Sequence, residues 1–324
     1  MRLTSRRTVV LALASGFVFP SGLFWKSLPE ARAADDNVNV SITPVPRRPS
    51  QQKSRSASIR VDVNLVLIPV MVTDLYDRPV RGLPKSEFHL FEDGVEREIS
   101  QFYSDESPIS IGIVFDASAS MRRKMEPSRA AIVEFLKMST PGDEFFLLKF
   151  ADRPDSVCDF TTETNDIEKS LPTIQAAGWT ALYDGIYLGI NRMKHASHER
   201  KVLLVLSDGG DNNSRFTESE LRNVVKEADV RIFSISIFER SHVLETIAEE
   251  TGGRAFHVRK LEELSELAAN VSAELHSEYV LGFSPAERPR DGKYRKVKVE
   301  VAPGTAGPRQ LHTSWKRGYY SPVD

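Results

Sequence analysis

Cysteine is nearly absent. Cys158 is the single one in 324 residues, so no internal disulfide can form and no thiolate cluster can hold zinc. Basic excess is missing too: 43 Lys and Arg stand against 45 Asp and Glu, a formal charge of −2. Without surplus positive charge to neutralise phosphates, nucleic acid is not an expected partner. Neither GxGxxG nor GxxxxGK followed by Ser or Thr occurs, so dinucleotide and nucleotide-phosphate sites lack their usual marks. A GxSxG nucleophile elbow is also missing. No internal repeat is visible. Beyond the first 25 residues no apolar run is long enough to span a bilayer.

What remains is ordinary globular composition, 40 % apolar and 27 % charged, in a length that suits one large domain or two modest ones. Residues 1–33 read as an export signal: arginines, then an apolar stretch, then the small-x-small "ARA" at 31–33. Arg6 and Arg7 side by side suggest the twin-arginine type. Cleavage would leave a mature chain starting near Ala34, exported to the periplasm, cell surface or medium and without a membrane span; an uncleaved anchor is the alternative. Residues 34–57, rich in Pro, Ser, Arg, Gln and Asn without apolar period, read as a flexible tether.

Residues 58–104 read as a β segment. "IRVDVNLVLIPVMVTD" begins with apolar–polar alternation, and "FHLFEDGVEREISQFY" reads as two strands joined at Asp93-Gly94. From residue 108 to 275 the rhythm changes to buried strands such as "ISIGIVF" and "KVLLVLS" alternating with amphipathic helices. Thr217 and Glu220 form a capping-box pattern, and a long final helix is expected over 261–278, its apolar stripe in the core. The fold class is α/β: a doubly wound, mostly parallel sheet with helices on both faces. Residues 276–324 return to β character, in "EYVLGFS", "KYRKVKVEVA" and "QLHTSWKRGYY". Since neither β segment alone holds many strands, the two are expected to pack together beside the α/β domain.

Ligands of open parallel sheets bind beyond the carboxyl ends of the strands. Three such loops carry oxygen-bearing side chains: "DASAS" with Asp116, Ser118 and Ser120, "GWTALYDGI" with Thr180, and "LLVLSDGGDN" with Asp208. Singly, each reads as a strand end, a helix cap or a turn. Together they resemble the von Willebrand factor A family and its metal-ion-dependent adhesion site, patterned Asp-x-Ser-x-Ser, then Thr, then Asp. The resemblance covers about residues 108–275. Bacterial exported "VWFA-related" proteins of acidobacterial type are similar also in the preceding "VTDLYDRPVRGLPKSEFHLFEDGVEREI" and in the ending, here "WKRGYY".

The resemblance implies a divalent cation on Asp116, Ser118, Ser120, Thr180 and Asp208. Such hard ions prefer oxygen, and Mg²⁺ takes six ligands at about 2.0–2.1 Å, which makes it the default over Mn²⁺ or Ca²⁺. With mainly neutral hydroxyl ligands the ion keeps positive charge, and a protein partner's Asp or Glu can complete its shell. The implied function is non-enzymatic, metal-dependent protein binding. A structural envelope subunit with an inert metal site is the alternative. A phosphatase of haloacid-dehalogenase type also places Asp after an apolar strand, but its general acid two residues on is here Ser118.

Other residues draw less weight. His195 and His198 read as exposed loop, Asp211 as a solvated loop acid or a neighbour of the ion, and Asp184 as a helix-face or capping acid. Trp179 and Met121 flank the expected ion, where they either shape a partner surface or are simply partly buried. Cys158 reads as a small buried hydrophobe.

Overall fold

The apolar segment "VLIPVMVT" forms strand β1 (Val66–Thr73). Ile68, Val70 and Val72 join one core and Met71 another, following the two-residue period of a strand. The computed structural model describes residues 65–285, 291–302 and 310–321. The expected signal (1–33), the tether (34–57) and the start of the first β segment (58–64) lie outside the described residues.

Three short strands follow: β2 (Phe88–Glu92), β3 (Val95–Arg97) and β4 (Ile99–Asp105). Asp93 and Gly94 turn the β2–β3 hairpin at φ values of +47° and +84°, the left-handed pair a two-residue turn needs. The expectation of two strands here is corrected to three. Interruption at Glu98 leaves Val95 and Glu96 exposed on an edge and lets Ile99 enter a core. It also sends β3 and β4 to different sheets.

The central domain runs β5 (Ser110–Asp116), α1 (Met125–Lys137), β6 (Glu144–Phe150), β7 (Pro154–Thr161), α2 (Thr164–Ser170) and α3 (Leu182–Met193). It continues with β8 (Lys201–Ser207), α4 (Glu218–Glu227), β9 (Arg231–Ile237), α5 (His242–Thr251), β10 (Ala255–Val258) and α6 (Leu264–Leu275). Its six strands lie in the order β10-β9-β8-β5-β6-β7. All pairings are parallel except that of the edge strand β7. β5 is buried at every position: Ile111, Ile113 and Phe115 pack on one side, with α1 and α6, and Val114 on the other, with α3, α4 and α5. The domain is the doubly wound α/β sheet expected.

Local chemistry sets the helix ends. The Thr217 hydroxyl accepts from the Glu220 amide at 3.3 Å while the Glu220 carboxylate accepts from the Thr217 amide at 2.9 Å. The final helix is shorter than expected, Leu264–Leu275, because Glu278 is already extended, buried and paired with Arg200 and Arg231. Its apolar stripe, Leu264, Ala268, Val271 and Leu275, lies in the core as expected.

After α6 come β11 (Glu278–Phe283), β12 (Tyr294–Val301), β13 (His312–Trp315) and β14 (Gly318–Tyr320). The β stretch "QLHTSWKRGYY" holds two strands divided at Lys316 and Arg317, which places β13 and β14 in separate sheets. These sheets are ordered β13-β1-β11-β4 and β14-β12-β2-β3, so each mixes strands from before and after the central domain. They share one core, with Val70, Leu281 and Phe283 from the first sheet against Leu90, Val297 and Val299 from the second. Arg200, just before β8, holds both crossings between the sheets and the central domain. It donates to the Ser107 carbonyl at 2.6 Å, the Leu275 carbonyl at 2.7 Å and the Glu278 carboxylate at 2.8 Å.

Candidate functional site

Because β5, β6, β8 and β9 are parallel, their carboxyl ends open on one rim, and the loops there are stitched together by backbone hydrogen bonds. Ala117 after β5 donates to Phe150 at the end of β6 at 2.8 Å. Ala177 donates to Ala117 at 2.9 Å and Ala119 to Gly178 at 3.1 Å, which fastens the segment before α3 to the "DASAS" loop. Gly178 sits at φ +81°, and a Cβ there would lie 2.6 Å from the Asp152 carboxylate oxygens. That carboxylate accepts from the Trp179 amide at 2.8 Å. A side chain at 178 would therefore displace the contact that aims the Thr180 segment.

Four of the five expected site residues meet directly. Asp116 is fully buried; its Oδ1 accepts from the Ser118 amide at 2.8 Å and its Oδ2 from the Ser207 hydroxyl at 2.6 Å. The Ser118 and Ser120 hydroxyls are 3.0 Å apart, and Ser120 donates to Asp208 Oδ1 at 2.9 Å. Ser118 and Asp208 are buried, whereas Ser120 is exposed at the mouth. Thr180, also buried, is tied in through its backbone: its amide donates to Asn212 Oδ1 at 2.8 Å, and its carbonyl accepts from the Asn212 amide at 3.0 Å. Ser207 and Asn212 were not among the sequence candidates. Ser207 adjoins Asp208 and resembles any strand-end serine, and Asn212 shows no spacing relation to Thr180.

Burial pushes the Asp116 carboxyl above the ordinary aspartate range; hydrogen bonds from Ser207 and Ser118 oppose this, and the nearby Asp208 charge adds to it. Lys124 answers that negative charge. Its ammonium pairs with Asp208 Oδ2 and lies 5.1 Å from the centre of the Phe238 ring. Sequence reading missed this lysine because "MRRKM" offers three basic residues and no sign of which one turns inward.

The remaining candidates resolve into other roles. Asp184 is buried in the first turn of α3 and accepts from the Arg215 and Phe216 amides at 2.9 and 3.1 Å, which ties the segment before α4 to that helix and caps neither. Asp211 bonds the Ser214 hydroxyl and the Tyr183 amide, holding its own loop to α3. His195 is exposed, and His198 is half-buried with Nε2 2.8 Å from the Gly142 carbonyl. Trp179 is 64 % exposed on the rim, whereas Met121 is fully buried in the core under β5, so of the two readings open for it burial holds and partner surface does not. Cys158 is half-buried against that core, and burial raises its thiol.

Residues 110–270 match the family described as the von Willebrand factor type A domain. That segment is a von Willebrand factor type A domain. The A domain thus covers β5 through most of α6. Over 180 residues the chain is 27 % identical to inter-alpha-trypsin inhibitor heavy chain H4 of Homo sapiens, an alignment covering 50 % of the chain and 19 % of that protein. The chain therefore spans about a fifth of that curated relative. An uncharacterized protein of Borreliella burgdorferi is 28 % identical over 137 residues, covering 39 % of the chain and 40 % of that protein. Among solved structures, von Willebrand factor type A from Catenulispora acidiphila aligns with a TM-score of 0.48 at 12 % identity, over 81 % of this chain and 74 % of that one. Proximal thread matrix protein 1 of the mussel byssus, solved with a zinc-occupied MIDAS motif, aligns with a TM-score of 0.48 at 18 % identity, over 57 % and 50 %.

Proposed function

We propose that the A domain binds a divalent cation through Asp116, Ser118, Ser120, Thr180 and Asp208, and through it an acidic side chain of a protein partner. One observation carries the reading: the continuous chain Ser118–Ser120–Asp208, set beside the buried Asp116 on a single rim. The donor set fits a hard ion. It offers two carboxylates and three hydroxyls, all oxygen. Among the described residues no three His, Cys, Asp or Glu side chains gather as a metal site, so a softer nitrogen or sulfur shell has no basis there. Two buried carboxylates against one ammonium also leave unneutralised negative charge, which burial makes unfavourable. A divalent ion held there would supply a Lewis-acidic position for a partner's carboxylate, and Mg²⁺ is the default ion.

The protein's own groups set the rest. Ser207 and the Ser118 amide orient Asp116, and the Asn212–Thr180 bonds hold the third loop to the second. The exposed Trp179 edges the mouth where a partner would arrive. A phosphatase reading is disfavoured because both Asp116 oxygens are engaged and the next-but-one side chain is a hydroxyl. Export to the periplasm or cell surface suits an adhesion role, as does the expected signal at 1–33. Among the described residues no helix is long and apolar enough to cross a membrane.

The test is calorimetric titration with MgCl₂ and MnCl₂, followed by partner capture from envelope extract in Mg²⁺ or EDTA. The reading expects ion binding that Asp116→Ala abolishes, and capture that EDTA and Ser118→Ala both remove. Capture that persists in EDTA and in Ser118→Ala would assign the chain a structural role instead.

A further inference from the structure

We infer that Lys124 is a tethered competitor for the divalent cation, its ammonium and the ion contending for the same Asp208 carboxylate. This rests on the metal-binding reading above. The geometry is specific. Lys124 stands where the short helical turn after "DASAS" passes into α1, its amide bonded to Met121 at 2.7 Å and its carbonyl accepting from Ser128 at 3.0 Å. The side chain therefore springs from fixed backbone. It is 15 % exposed, and it ends on Asp208 Oδ2 while Ser120 donates to Oδ1 of the same group at 2.9 Å. Both oxygens of one expected ligand are thus taken, one of them by a full positive charge.

The ammonium has a second resting contact. Phe238 lies at φ +69°, a backbone region that a bulky side chain rarely adopts. Two hydrogen bonds hold it there: its amide donates to Val258 at 2.8 Å, and its carbonyl lies 2.9 Å from His257 Nε2. This strained residue presents its ring, 45 % exposed, 5.1 Å from the Lys124 nitrogen, within cation–π range. An ion arriving at Asp208 repels the ammonium, which can withdraw along Phe238 without leaving the rim. The displaced positive charge then sits beside the mouth, where it favours an acidic partner. In this arrangement Lys124 lowers intrinsic ion affinity, so the site fills only at higher divalent concentration and prefers divalent over monovalent ions.

The experiment titrates the whole chain with Mn²⁺ by calorimetry, comparing native protein with Lys124→Gln, Lys124→Arg, Lys137→Gln and Asp116→Ala. Lys137→Gln makes the same change of net charge at the exposed end of α1. Removing a cation next to the ligands should tighten Mn²⁺ binding in Lys124→Gln by about tenfold or more, since opposing charges act strongly at such separations. Lys124→Arg and Lys137→Gln should stay within about threefold of native. An unchanged or weaker affinity in Lys124→Gln overturns the competitor role, as would an equal gain in Lys137→Gln. If Asp116→Ala binds Mn²⁺ like the native chain, the metal site itself is misplaced, a distinct failure.

Discussion

Arg200 and Glu278 form a buried ion pair at 2.8 Å where the chain passes between the A domain and the flanking sheets. Arg231 shares the same Glu278 oxygen at 2.6 Å, and Arg200 also serves the Ser107 and Leu275 carbonyls. One guanidinium thus holds the entry and the exit of the A domain together. Removing one partner of a buried pair leaves the other unsatisfied, so Arg200→Met should lower stability by about 3 kcal/mol. Urea unfolding measures this. A loss under about 1 kcal/mol would mean Arg231 alone satisfies Glu278.

Glu274, buried beside Arg254 at 2.9 Å, gives a pH signature. Burial raises its carboxyl to about 7 despite the Arg254 charge. A raised carboxyl binds its proton more tightly folded than unfolded. Its contribution to stability is therefore greatest below the unfolded value near 4.5 and is lost as pH rises through 7. Glu274→Gln removes that slope. The difference in unfolding free energy, variant minus native, should grow from pH 5 to pH 8 by up to about 3 kcal/mol. Melting curves across that range check it; a flat difference contradicts the assignment.

Gly178→Ala should harm both fold and site. Its φ of +81° disfavours any Cβ, and the Asp152 carboxylate occupies the place a Cβ needs. Destabilisation of about 1–2 kcal/mol is expected. Trp179 fluorescence should shift as its amide loses Asp152, and Mn²⁺ binding should weaken with Thr180 displaced. Native-like fluorescence and melting would show that the loop absorbs the change.

A divalent ion that binds only the folded chain stabilises it by mass action, about 2.7 kcal/mol at one hundred times its dissociation constant. Saturating MgCl₂ or MnCl₂ should therefore raise the melting temperature, EDTA should reverse the rise, and Asp116→Ala should show none. Equal shifts in native and variant protein would place the ion elsewhere.

Much of this molecule can be read from its residues, and the rest depends on distance along the chain. The "SIGIVF" and "KVLLVLS" strands and the Asp93-Gly94 turn carry their signal locally, in apolar runs and one dipeptide. Division at Glu98 does not, because β3 answers to the neighbouring β2 whereas β4 answers to β11, far downstream. Division of the tail at Lys316 and Arg317 has the same cause. At the site, Asp116, Ser118, Ser120 and Asp208 could be grouped because strand ends of a parallel sheet share a rim. Thr180 followed the same rule, although what anchors it is backbone bonding to Asn212. Lys124 escaped notice: its role depends on which way one of several basic side chains turns, a matter of tertiary position.

The interleaving of the two outer sheets has a consequence for biosynthesis. Strands β1 to β4 leave the ribosome before residues 106–277, and their main partners arrive last. Until then β1 and β2 present open hydrogen-bonding edges and uncovered apolar faces, the condition under which nascent β segments stick to one another. A truncated product ending after α6 would hold a finished A domain attached to an orphaned half-sandwich, which makes strands β11 to β14 the ones that must arrive before those edges are covered.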